Sequence, residues 1–68
     1  MKLGDFLSEH GLSQSDFAET IETKPVSVSR YVRNERLPEP EIMERIRIAT
    51  NGLVTANDFY HPDMDQNT

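Results

Sequence analysis

Apolar residues recur at helical spacing along most of this chain and never form a run longer than two, as in Phe6-Leu7, Tyr31-Val32 and Phe59-Tyr60. Leu3, Phe6 and Leu7 make the stripe of a helix over residues 2–10, closed by His10 in its last turn and by Gly11 as a stop. Leu12 anchors the connection that follows. Ser13 stands where an N-cap belongs, and Asp16 three residues later completes a capping-box-like pair. Phe17, Ala18 and Ile21 then form the inner stripe of a second helix over 14–21.

Glu22-Thr23-Lys24 leaves room only for a tight turn, and Pro25 suits the first turn of a helix, where its missing N–H is not needed. The pattern predicts a third helix from Pro25 to Arg33. Val28 and Tyr31 or Val32 face inward, and Val26, Ser27, Ser29, Arg30 and Arg33 are left outside. Asn34 can take the left-handed conformation that closes a helix, and Leu37-Pro38 ends the exit loop. Pro40 opens a fourth helix with Ile42, Met43, Ile46 and Ala49 on its inner face. Its acids Glu39, Glu41 and Glu44 lie toward the positive end, and Arg45 and Arg47 toward the negative end. Asn51-Gly52 stops it, Thr55 caps a short fifth helix, and Phe59-Tyr60 folds back on the core. Residues 61–68 are almost wholly polar and predict a disordered tail.

With 68 residues the chain holds one domain, placed at 1–60. A domain of that size buries roughly 60% of its unfolded surface. That leaves no room for a core and a catalytic cleft together. The short apolar runs exclude a membrane span and the apolar segment of a signal peptide. With no cysteine, neither disulfides nor thiolate-bound zinc can hold the fold, which fits a reducing cytoplasm.

Charge changes the picture more than size does. The net formal charge is −5, awkward for a nucleic-acid binder, but it is unevenly spread. Between Lys24 and Arg36, four basic residues face the single acid Glu35, a local charge of +3. The rest of the chain carries three basic and eleven acidic residues. Two short helices joined by a three-residue turn, the second bearing this positive segment, make a helix-turn-helix arrangement. A helix entering a major groove about 12 Å wide needs short side chains near its start and long donors beyond them.

Gln14, Ala18, the segment Val28-Ser29-Arg30-Tyr31, Leu37-Pro38 and the closing Thr50–Phe59 stretch resemble the repressor/Cro-type (Xre-type) helix-turn-helix family of phages and bacteria, over residues 2–60. The resemblance implies an all-α, five-helix, lambda-repressor-like domain. Its third helix would read a pseudo-palindromic operator in double-stranded DNA, as a homodimer that is weak on its own or formed on DNA. By position, Lys24, Pro25, Val26, Ser27 and Arg30 correspond to the residues that meet base edges. Arg30 is the candidate partner of a guanine and Val26 of a thymine methyl. Gln14, Ser29, Arg33, Asn34 and Arg36 correspond to phosphate-gripping positions. Ile48, Leu53 and Tyr60, which one small core does not readily absorb, are the dimer-contact candidates.

The chain departs from the family pattern in several places. Glu22 stands where the family has glycine, so a non-glycine residue is forced toward positive φ. Lys24 is a poor cap where Ser or Thr is usual, although Thr23 could serve if the helix began a residue earlier. Glu35, Glu39, Asp16 and Glu19 add negative charge near the motif, which predicts modest affinity and a steep salt dependence.

Other chemistry finds little footing. His10, His61, Asp63 and Asp65 are too scattered for a metal site. No nucleophile stands with a base, and no glycine-rich phosphate loop is present, so the expectation is a non-enzyme without cofactor, small-molecule ligand or membrane partner. The rival reading is a protein-interaction adaptor, antitoxin-like or anti-repressor, that keeps the fold with little DNA binding. Its support is the net charge and the acids Glu22, Glu35 and Glu39.

Overall fold

The computed structural model describes residues 1–59, so Tyr60 and the tail at 61–68 lie outside the described residues. It is all-helical: α1 (Leu3–His10), α2 (Gln14–Thr20), α3 (Pro25–Val32) and α4 (Pro40–Ala49), followed by a 3-10 turn at Ala56–Phe59. The expected fifth helix is therefore a single 3-10 turn. Its first turn is also closed differently from expectation. The Asp58 carboxylate accepts from the Thr55 backbone N–H at 2.8 Å and from its hydroxyl at 3.2 Å, so Asp58 caps backward and Thr55 is the donor.

Four helices end in one way. At Gly11, Glu22, Asn34 and Asn51 the backbone turns left-handed, with φ of 62°, 58°, 60° and 56°. In each case the next residue's N–H reaches back five residues: Leu12 to the Leu7 carbonyl, Thr23 to Ala18, Glu35 to Arg30 and Gly52 to Arg47, all within 2.9 Å. The left-handed residue's own N–H also reaches back three residues, Gly11 to Ser8, Glu22 to Glu19, Asn34 to Tyr31 and Asn51 to Ile48. This double closure satisfies carbonyls that a helix end would otherwise leave unpaired. It also explains why helices of seven to ten residues can turn so sharply.

The core draws on every element. Leu3, Phe6 and Leu7 of α1, Phe17, Ala18 and Ile21 around α2, Val28 and Tyr31 of α3, Ile46 of α4, Val54 and Phe59 are all buried. Burying each large side chain contributes roughly 1.5–3 kcal/mol. Phe6 meets Phe17 edge to face with centroids 6.2 Å apart. Ile42, Met43, Ala49 and Val32 pack against the edge of this cluster. Leu12, expected to anchor its connection, is 37% exposed. Its N–H, not its side chain, ties the turn together.

One buried polar group organises the end of α4. The Thr50 hydroxyl donates to the Ile46 carbonyl at 2.8 Å and accepts from the Val54 N–H at 3.1 Å, pinning the loop over the core. Every buried side-chain nitrogen or oxygen among the described residues has a partner. No helix among them is long and apolar enough to cross a membrane.

Candidate nucleic-acid interface

The helix pair α2 and α3 forms the most extensive interhelical packing in the domain. Ala18, Ile21 and Val28, each no more than 1% exposed, fill the space between them. A small residue at position 18 lets the helices approach, and the two β-branched side chains lock their angle. The entry to α2 is well made: the Asp16 N–H donates to Ser13 Oγ at 3.0 Å, one half of the anticipated capping pair. The entry to α3 is not. Lys24 is its N-cap residue and supplies no side-chain cap, while Pro25 occupies the first turn. Thr23 does not take over, because the helix begins at Pro25.

The turn between them carries the strain anticipated from the sequence, with Glu22 at φ 58°. It is braced from α4. Arg45 donates to the Ile21 carbonyl at 3.3 Å and also binds the Glu41 carboxylate at 2.9 Å. The dipole argument placed Arg45 near the end of α4 without revealing this contact across 24 residues, since nothing local in sequence signals a long-range bond to a carbonyl.

With Val28 and Tyr31 buried, the opposite side of α3 is fixed. Val26, 52% exposed, Arg30 and Arg33 follow one another at helical intervals along it, and Lys24 and Pro25 are exposed at its start. Ser27 and Ser29 flank the stripe and are half-buried, as are Gln14 at the start of α2 and Asn34 in its left-handed turn. The base-edge candidates thus share one helix. The phosphate candidates are divided between the start of α2 and the end of α3 with its exit loop.

The exit loop holds a feature that the charge count could not show. Arg33 pairs with Glu35 at 3.3 Å, and Arg36 pairs with Glu39 at 3.4 Å. Arg45 and Arg47 of α4 pair with Glu41 and Glu44. Among the described residues the basic side chains in no ion pair are Lys2, Lys24 and Arg30, the last two both on α3 or at its start. Glu44 is held below the usual carboxylate range by its hydrogen bond to Arg47, away from this face. Among the described residues, no group of three or more His, Cys, Asp or Glu is placed to hold a metal ion.

This helix pair, with its turn and framing helices, coincides with a match of residues 6–52 to the helix-turn-helix family. The chain belongs to the Cro/Xre-type helix-turn-helix family. The family's members are DNA-binding regulators in general and typically not enzymes. No curated protein and no solved structure matches the chain. The helix-turn-helix span ends at Gly52, so the Leu53 loop and the 3-10 turn lie beyond the matched residues.

Proposed function

We propose that this helix-turn-helix protein is a sequence-specific transcriptional regulator, a Cro-like repressor, that lays α3 in the major groove of a pseudo-palindromic operator and blocks a promoter by occupying it. The observation that carries this reading is the outer stripe of α3. It presents a short apolar side chain, Val26, and a long donor, Arg30, next to Lys24, both cations in no ion pair among the described residues. That is the side-chain order that reads base edges, with Arg30 able to hold a guanine by two hydrogen bonds and Val26 to touch a thymine methyl. Ser27 lies beside them. Gln14, Ser29, Arg33, Asn34 and Arg36 are the candidates for backbone contact, which fixes register without carrying sequence information. The reading places the protein in the cytoplasm of a bacterial or phage-infected cell.

A two-fold operator calls for a two-fold protein. Ile48 is 65% exposed and Leu53 48% exposed, on either side of the turn that ends α4, and they support an isologous contact there. The third candidate, Tyr60, lies outside the described residues. Leu53→Asp is expected to lower the sedimentation mass or the operator affinity. If both stay unchanged, this surface is not the dimer contact.

Selection of bound duplexes from a random DNA pool, with the native protein and with Arg30→Ala, tests the main reading. A two-fold symmetric motif, relaxed at one position per half-site in the variant, is expected. Recovery of no motif at low or moderate salt would turn the reading to the adaptor role. The internal pairing of Arg33 and Arg36 favours that alternative, because it leaves fewer cations for phosphate than the sequence offers.

A further inference from the structure

The four basic residues of the positive segment separate into two kinds. Lys24 and Arg30, at the start and on the outer stripe of α3, are unpaired among the described residues, whereas Arg33 and Arg36 are each held by a carboxylate. Both acids are placed by the backbone. Glu35 follows the left-handed Asn34 and its N–H is tied to the Arg30 carbonyl, which folds its side chain back to Arg33 only two residues away. Glu39 is the N-cap residue of α4, yet its carboxylate makes no cap hydrogen bond and turns to Arg36 instead.

We propose that Glu35 and Glu39 are specificity determinants: they occupy the guanidinium groups that would otherwise grip any DNA backbone, and release them only where α3 is seated on its own sequence. The inference rests on the DNA-reading role proposed above. Binding to arbitrary DNA comes almost wholly from cations neutralising phosphates. For Arg33 or Arg36 on such DNA, exchanging a carboxylate for a phosphate gains little, because the freed carboxylate is left facing the polyanion. On the right sequence, base contacts through Arg30 and Val26 hold α3 in the groove and keep the exit loop at the backbone, so the exchange is driven. The pairs can open cheaply, since all four side chains are between 51% and 68% exposed.

The test uses Glu35→Gln, Glu39→Gln and the double variant, with Glu9→Gln on α1 as a control of equal charge change. Affinity is measured across a salt series for a random-sequence duplex and for the duplex recovered by selection. Each substitution in the loop is expected to raise affinity for the random duplex roughly three- to tenfold and to steepen the slope of log K against log salt by up to about 0.9. The paired acids thus flatten the native salt dependence, the reverse of the steep one expected from their charge in the sequence. The selected duplex gains less, so the ratio of the two affinities falls, and Glu9→Gln leaves that ratio unchanged. Equal gains on both duplexes, or an unchanged slope, overturn the proposal while leaving the DNA-reading role standing. Failure of every form of the protein to bind either duplex at low salt overturns both.

Discussion

The turn from α1 to α2 and the turn from α2 to α3 share one backbone and differ at every residue. Each begins with a residue at positive φ, Gly11 at 62° and Glu22 at 58°. In each the next N–H reaches back five residues, at 2.9 Å from Leu12 and 2.8 Å from Thr23. Each ends on an extended N-cap residue, Ser13 or Lys24. The first turn holds the residues that such geometry favours: a glycine with no side-chain penalty and a serine that caps. The second holds a glutamate in the left-handed region and a lysine that caps nothing. The second turn thus lacks the local stability that the first turn's residues supply, and its Lys24 stands exposed at the start of α3.

Exchanging residues between the turns is the strongest test of that contrast. Gly11→Glu is expected to cost about 1 kcal/mol, the left-handed penalty less the glycine's extra chain entropy. A Cβ there meets nothing within 4 Å, so the cost at the backbone is conformational and not steric. Glu22→Gly is expected to gain about as much, and somewhat more because it removes an anion from the negative end of α2. Thermal midpoints should move in opposite directions by roughly 4–8 °C per kcal/mol. The double exchange should return near the native value, as distinct sites add. If Glu22→Gly lowers the midpoint, Glu22 makes a contact that outweighs its strain, and the contrast between the turns disappears.

Lys24→Ser separates the two demands on one residue. Supplying the missing cap should raise stability by about 0.5–1 kcal/mol. Operator affinity should fall severalfold, with a salt slope shallower by roughly one ion, because a cation in no ion pair among the described residues is lost. A variant that is both more stable and equally tight on DNA would show that Lys24 makes no contact there.

The same local chemistry explains how far the sequence could be read. The left-handed stops at Gly11, Asn34 and Asn51, the cap at Ser13 and the prolines at positions 25 and 40 punctuate the chain. For that reason α1, α2 and α3 fall within a residue of the expected bounds, and α4 begins at the expected Pro40 and ends before the Asn51-Gly52 stop. The strained Glu22 was legible through the family resemblance, because it stands where the family has glycine. Leu12 was not: a lone apolar residue in a turn has no periodicity to say which way it faces. Thr50 was missed because hydrophobic patterning assigns hydroxyls to the surface, and only its bonds to Ile46 and Val54 keep it buried. At the interface, the stripe of α3 could be read from the burial of Val28 and Tyr31. The pairing of Arg33 with Glu35 could not, since residues two apart on a helix do not meet and only the left-handed Asn34 brings them together.

The smallest expected effect concerns a third entrance, the 3-10 turn, where the capping group comes from inside the turn. Partial burial alone would raise the pKa of Asp58. The Thr55 N–H, the Met1 ammonium at 3.1 Å and the Thr55 hydroxyl outweigh it, so the carboxyl lies below its ordinary value of 3.8. A carboxyl with a lowered folded-state pKa stabilises fully above its unfolded value, and that contribution is lost as the pH falls through the folded value. Asp58→Asn is therefore expected to cost about 0.5 kcal/mol near neutral pH, the low end for a helix cap. The gap between native and variant midpoints should close as the pH drops below 3.8. A gap that persists in acid would mean that shape and not charge holds this turn. The Ser13 entrance, whose hydroxyl does not titrate in this range, would then be its proper counterpart.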